Sequence, residues 1–250
     1  MRNRLLPLLL AAGLLTGCAA GSNDDAGFDV KQAAQIRLNL GLTYLTLGNV
    51  QKARFNLERA LEYAPEDYRI QLGMAQYLQE TGENTLAQAR YQQALRLAPQ
   101  SNEVLNNYGA FLCRIGQYDS ALGYFDKALQ TQNLGEIANS LEGSGYCLLD
   151  AGRTDEAFEH LGRALKQDPS KGERVLTESA RDFQQGKHKE AVALLGFYHQ
   201  ALPATAESLW MQIQFAASEN RMADVQRYGK TLAREFPQSR QYQLFLAHEY

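Results

Sequence analysis

Five of the six prolines in this chain fall on one lattice. Pro65, Pro99, Pro169, Pro203 and Pro237 stand 34, 70, 34 and 34 residues apart, and 70 is two periods of 34 with two residues added. Glycine keeps the same beat at Gly48, Gly82, Gly116, Gly152 and Gly186, with Asn220 in the sixth slot. So does a small residue, at Ala53, Ala87, Ala121, Ala157 and Ala191, with Val225 where a sixth is due. A chain that repeats its chemistry at this interval is a row of small units, each too small to bury its own apolar face and each stacked on its neighbours. In the first unit Leu40, Gly41 and Tyr44 share one face of a predicted helix. Gly48 ends that helix, because glycine takes a left-handed backbone without steric cost. Ala53, Leu57 and Ala60 then form the inner stripe of a second helix, and Pro65 stops it. Asn220 is the expected substitute for glycine at a helix end.

The period and its offsets resemble the tetratricopeptide repeat (TPR), a helix-turn-helix unit. The expected fold is therefore all-α: a superhelix of six repeats over 34–67, 68–101, 102–135, 138–171, 172–205 and 206–239. Asn133 stands where the third repeat should carry proline, and two extra residues precede the fourth. The last two repeats are weaker, with Tyr198 at a usual alanine position and Val225 and Leu232 in the sixth. Residues 240–250 place Tyr242, Phe245 and Leu246 on one helical face and also carry Arg240, Gln241, Gln243, His248 and Glu249, the pattern expected of a capping helix.

Residues 1–17 read as an export signal. Arg2 and Arg4 form a basic start, and Leu5 to Leu15 is an apolar run too short to span a bilayer comfortably. Leu15-Thr16-Gly17-Cys18 then resembles a bacterial lipobox, with Cys18 as the acceptor of diacylglycerol. The alternative is an ordinary secretory signal cut near Ala19 or Ala20; the cysteine at the end of the apolar run favours the lipoprotein. By the sorting rule of such lipoproteins, Ala19 in place of aspartate implies the outer membrane. Residues 18–33 are expected to be the lipidated cysteine and a flexible tether. Loss of 1–17 removes two arginines and no acid, leaving 23 basic against 28 acidic side chains, a balance that gives no reason to bind nucleic acid.

With Cys18 lipidated, Cys113 and Cys147 remain. Both fall on first helices of adjacent repeats, so in an oxidising compartment they read as a disulfide; otherwise they are two buried thiols. The four histidines His160, His188, His199 and His248 lack metal-ligand spacing, and no C-x-x-C, G-x-S-x-G or phosphate-cradling motif is present. No cofactor, metal, small-molecule substrate or catalytic role is expected. Asp155 and Glu156 suit the positive end of a helix. Function is expected to lie on the concave groove lined by first helices. By phase that lining includes Arg69, Gln76, Asn106, Asn107, Tyr146, Asp150 and Trp210, where amides can pair with an extended peptide and aromatics can anchor apolar side chains. Asn39 and Asn107 occupy slots of the clamp by which some TPR proteins grip a C-terminal carboxylate, but the lysines of that clamp are missing.

The local carriers of a narrower resemblance are Ile36-Arg37-Leu38-Asn39-Leu40-Gly41-Leu42 with Tyr44, and Asn106-Asn107-Tyr108-Gly109 followed by Phe111-Leu112-Cys113. A lipobox, a short tether and six TPRs are similar to the type IV pilus biogenesis and stability lipoproteins of the PilW/PilF kind. That resemblance implies an outer-membrane lipoprotein facing the periplasm. It also implies protein partners, the pilus secretin subunit or other pilus assembly proteins, and familiarity of the Cys113 and Cys147 pair. The role it implies is that of a pilotin assisting secretin insertion and multimerisation, or of a fibre stabiliser. The competing expectation is a TPR lipoprotein that regulates peptidoglycan synthases or hydrolases.

Overall fold

The structure is a computed structural model and describes residues 29–131 and 134–250. The expectations for 1–17, for Cys18 and for Asn133 lie outside the described residues. The helices come in pairs: α1 (Val30–Thr46) with α2 (Val50–Tyr63), α3 (Tyr68–Glu80) with α4 (Asn84–Leu97), and α5 (Asn102–Arg114) with α6 (Tyr118–Gln130). Then follow α7 (Ile137–Asp150) with α8 (Thr154–Gln167), α9 (Gly172–Gln184) with α10 (His188–Ala201), and α11 (Ala206–Ser218) with α12 (Met222–Glu235). A short α13 (Arg240–Leu246) closes the chain, and single 3-10 turns at Leu134–Glu136 and Pro169–Lys171 lead into α7 and α9.

Local chemistry sets the ends of these helices. Asp29 accepts from the backbone N–H groups of Lys31 and Gln32 and so starts α1. The helix therefore begins at Val30, four residues before the expected frame, and 30–33 belong to it rather than to a tether. Asn49, Asp67, Ser101 and Ser239 cap α2, α3, α5 and α13 in the same way, and Thr205 forms a capping box with Ser208 at α11. Gly48 (φ 71°) and Asn220 (φ 56°) turn the chain between paired helices in the left-handed region.

Within a pair, the small residues permit close contact. A Cβ on Gly41 would lie 2.5 Å from Leu57 Cγ, and Ala53, Leu57 and Ala60 are fully buried beneath α1. Burying a leucine in this way stabilises the fold by roughly 1.5–3 kcal/mol. Between pairs, α1, α3, α5 and α7 lie side by side, while α2 packs on α3, α4 on α5 and α6 on α7. One core runs through these first seven helices, from Ala34 to Cys147; separate clusters serve the later repeats.

One sequence expectation is corrected. Leu246 is exposed, and Leu244 packs with Tyr242 and Phe245 instead, since α13 stops at Leu246. Leu40 stays 40% exposed, because among the described residues no helix precedes α1 to cover that face.

Candidate interaction surface

The uncovered face of α1 is the first part of the surface. In α3 the equivalent positions Ile70 and Met74 are 1% and 5% exposed, whereas Ile36 and Leu40 are 52% and 40% exposed. In α5 the equivalent Tyr108 stacks on Tyr91 of the preceding α4 at 5.7 Å. So the stripe that elsewhere packs on a preceding helix stands open at this end of the array. Leu47, Val50 and Phe55 are exposed nearby in sequence. At the opposite end the equivalent opening is closed: Phe245 of α13 packs so tightly on Gly229 that a Cβ there would overlap the ring.

The second part is a recess of about 440 Å³ along α1, α3 and α5, lined by Leu45, Gln76, Gln79, Glu80, Tyr91 and Asn107 among others. Gln76 Nε2 donates to Asn107 Oδ1 at 3.3 Å, and Asn107 Nδ2 donates to the Glu103 carbonyl at 2.7 Å. Tyr91 Oη donates to Gln79 Oε1 at 3.1 Å. Burial keeps the Tyr91 phenol protonated well above its ordinary range. The structure thus joins Gln76 and Asn107, and it adds Gln79, which the repeat phase did not single out. Asn106 is half-buried with Oδ1 unpartnered and out of solvent. Arg69 is exposed at the start of α3, where its guanidinium pairs with Asp67 at 2.8 Å.

Tyr146 and Asp150 lie elsewhere, in a recess of about 580 Å³ between the α7–α8 and α9–α10 pairs. The Tyr146 hydroxyl is out of solvent and unpartnered, and Arg174 sits 4.2 Å over its ring. Burial pushes the Tyr146 phenol up, as it does the Asp150 carboxyl, against the opposing pull of Arg181, Lys187 and Arg174 on the latter. Asp150 Oδ2 lies 3.9 Å from Cys113 Sγ. Cys113 is disulfide-bonded to Cys147, with Cα atoms 5.7 Å apart, tying α5 to α7. Trp210 does not line a groove. It is buried in a cluster completed by Tyr242, Leu244 and Phe245 of the cap, so the concave face is closed at the last repeat.

One constellation has the look of chemistry. Ser144 Oγ lies 2.7 Å from His160 Nδ1, and Glu156 stands one turn before His160 on α8. Ser144 is fully buried and also donates to the Leu141 carbonyl, while Glu156 pairs with Arg153, so no nucleophile reaches a substrate. Among the described residues no group of histidine, cysteine and carboxylate side chains could hold a metal, and no helix is long and apolar enough to cross a membrane.

Tetratricopeptide-repeat profiles match residues 44–106 and 100–170. The type IV pilus assembly protein PilF of Pseudomonas aeruginosa is 29% identical over 249 residues, 98% of each chain. An uncharacterized Haemophilus influenzae protein is 29% identical over 156 residues, 62% of this chain and 87% of that one. The solved structure of Pseudomonas aeruginosa PilF superposes with a TM-score of 0.60 at 27% identity, covering 88% of this chain and 99% of that one. That of PilW, described as a widely conserved type IV pilus biogenesis factor, gives 0.60 at 26%, covering 86% and 99%. Fold and surface together define a TPR protein, a non-catalytic module that binds other proteins. Within that class the chain is homologous to the pilus assembly protein PilF over nearly its whole length and structurally close to PilF and PilW.

Proposed function

We propose that this chain is a lipid-anchored scaffold on the periplasmic face of the outer membrane. There it binds the pilus secretin subunit and assists its insertion and multimerisation. The observation that carries the reading is the end-to-end similarity to a pilus assembly protein, which takes in the N-terminal segment as well as the repeats. The lipid on Cys18 concentrates the scaffold beside a membrane-bound partner, so modest affinity suffices. The open apolar end at Ile36 and Leu40 and the amide row Gln76, Gln79 and Asn107 supply the contact: buried apolar anchors for energy, amides for an extended main chain.

The test is genetic and biochemical. Cys18→Ala is expected to abolish lipid labelling and lower secretin multimers on semi-denaturing gels. Leu40→Asp with Asn107→Ala, expressed at the normal level and correctly anchored, is expected to lower multimers too, because truncating a buried anchor typically costs about 2 kcal/mol or more. Normal multimers with loss of surface pili would move the role to fibre stability. Normal multimers and normal pili would refute the reading.

A further inference from the structure

The second recess marks a break in how the repeats stack. In α3 the stripe facing the preceding repeat is Ile70, Met74 and Leu78; in α5 it is Val104, Tyr108 and Leu112. In α9 the same three positions are Arg174, Glu178 and Asp182. Charged groups resist burial, so this stripe packs on α7 and α8 less closely than the apolar ones do. The result is an open recess of about 580 Å³ between these pairs.

Its charges are not spread evenly. The Glu178 and Asp182 side chains are only 14% and 13% exposed, whereas Arg174, Arg181 and Lys187 are 51–55% exposed. Glu178 and Asp182 thus lie deep, while Asp150, Arg174, Arg181, Lys187, Lys189 and Glu190 stand at the rim. Among the described residues Asp182 pairs only with Lys187, at 3.6 Å, and Asp150 has no ion pair. Asp150 and Asp182 both line the recess, and the Asp182 charge adds to the rise of the Asp150 carboxyl. Phe158 and Leu194 supply an apolar wall. A guanidinium already occupies one side of the recess: Arg174 lies over the Tyr146 ring and pairs with Glu142 and Glu178.

We propose that this recess receives a basic side chain, arginine or lysine, from a partner polypeptide. Its cation sits against Asp150 and Asp182, and its aliphatic stem lies along Phe158 and Leu194. A carboxylate in the same place would face the deep acids Glu178 and Asp182, with Arg174, Arg181 and Lys187 already paired to them and Lys189 exposed at the rim. The site is separate from the open end and amide row, so it provides a second point of contact in the C-terminal half.

The probe is a set of three peptides, Ac-Leu-Arg-Leu-NH2 and its glutamate and norleucine counterparts, titrated into the purified protein and followed by NMR of the Tyr146 and Phe158 rings. The arginine peptide is expected to bind about tenfold more tightly than either counterpart, with the advantage shrinking as salt rises. Asp150→Asn, checked for unchanged helicity and an intact disulfide, is expected to remove most of that advantage. Equal binding of the three peptides, preference for the glutamate peptide, or an arginine preference that survives both Asp150→Asn and Asp182→Asn would overturn the assignment. No pilus component enters this experiment, so its outcome is independent of the secretin test.

Discussion

Asp67 and Asp150 are both aspartates at helix ends, and the fold treats them oppositely. Asp67 caps α3, and the Arg69 guanidinium holds its carboxyl below the ordinary range. A depressed carboxylate contributes stability that is present above the unfolded value near 3.8 and is lost as pH falls through the lower folded value. Asp67→Ala is therefore expected to cost about 1 kcal/mol at neutral pH and progressively less as the wild-type carboxyl is protonated. Urea unfolding at neutral and strongly acidic pH measures both. Asp150 has no such partner, and burial raises its carboxyl. For this group the folded state holds the proton more tightly than the unfolded chain, so its contribution to stability falls as pH rises from the unfolded value through the raised one. Asp150→Asn is expected to leave the neutral-pH melting temperature unchanged or higher, and a clear drop would contradict the unpaired geometry. Asp150 is exposed at the end of α7, so its raised carboxyl costs the fold little, whereas the Asp67 cap supplies stability.

At the scale of the helix pair, the Cys113–Cys147 bridge joins α5 to α7 across a sequence separation of 34. The chain-entropy account assigns a closed loop of that size about 3–4 kcal/mol, so the double Cys→Ala variant is expected to unfold at lower denaturant while keeping its helical circular dichroism. An unchanged midpoint would mean that the bridge does not constrain the unfolded chain. The pairing of helices was legible in the sequence because its demands are local and recur: a left-handed backbone at Gly48 and Asn220, and no room for a larger side chain at Ala53. What each face packs against is not local. Leu40 and Met74 hold the same slot, yet among the described residues only Met74 has a helix before it. Trp210 falls on the groove by phase but is enclosed once α13 turns back over α11. Departures from the repeat are compensated at a distance: Tyr198 takes an alanine slot and is accommodated by Gly172, where a Cβ would lie 3.1 Å from its ring. The groove expectation named residues of two different recesses as one lining. The charged stripe of α9 was readable as letters, but its meaning needed the apolar stripes of α3 and α5 beside it.

Across the whole molecule, a repeat array is stabilised mainly by contacts between neighbours, so one weak junction divides it. A single core spans α1 to α7, while a smaller apolar cluster joins α8 to α9 and α10 across the junction that carries Arg174, Glu178 and Asp182. Half-buried charges of this kind contribute little net stability, since desolvation offsets most of their mutual attraction. The C-terminal repeats are therefore expected to open as a unit before the disulfide-tied N-terminal block. Native-state hydrogen exchange should show α9–α13 amides exchanging at lower free energy than those of α3, α5 and α7. The triple variant Arg174→Ile, Glu178→Met and Asp182→Leu copies the stripe of α3 onto α9 and is expected to draw α9 onto α7. Each newly buried apolar side chain then contributes on the order of 1.5–3 kcal/mol, minus the lost ion pairs. Urea unfolding should become more cooperative, with a steeper slope and a higher midpoint, and the two exchange classes should merge. The same variant erases the recess, so a gain in stability accompanied by loss of arginine-peptide binding ties the break in stacking to its use as a site. Uniform exchange across all thirteen helices of the wild-type described residues, with one sharp transition unchanged by the triple substitution, would remove the basis for a divided array.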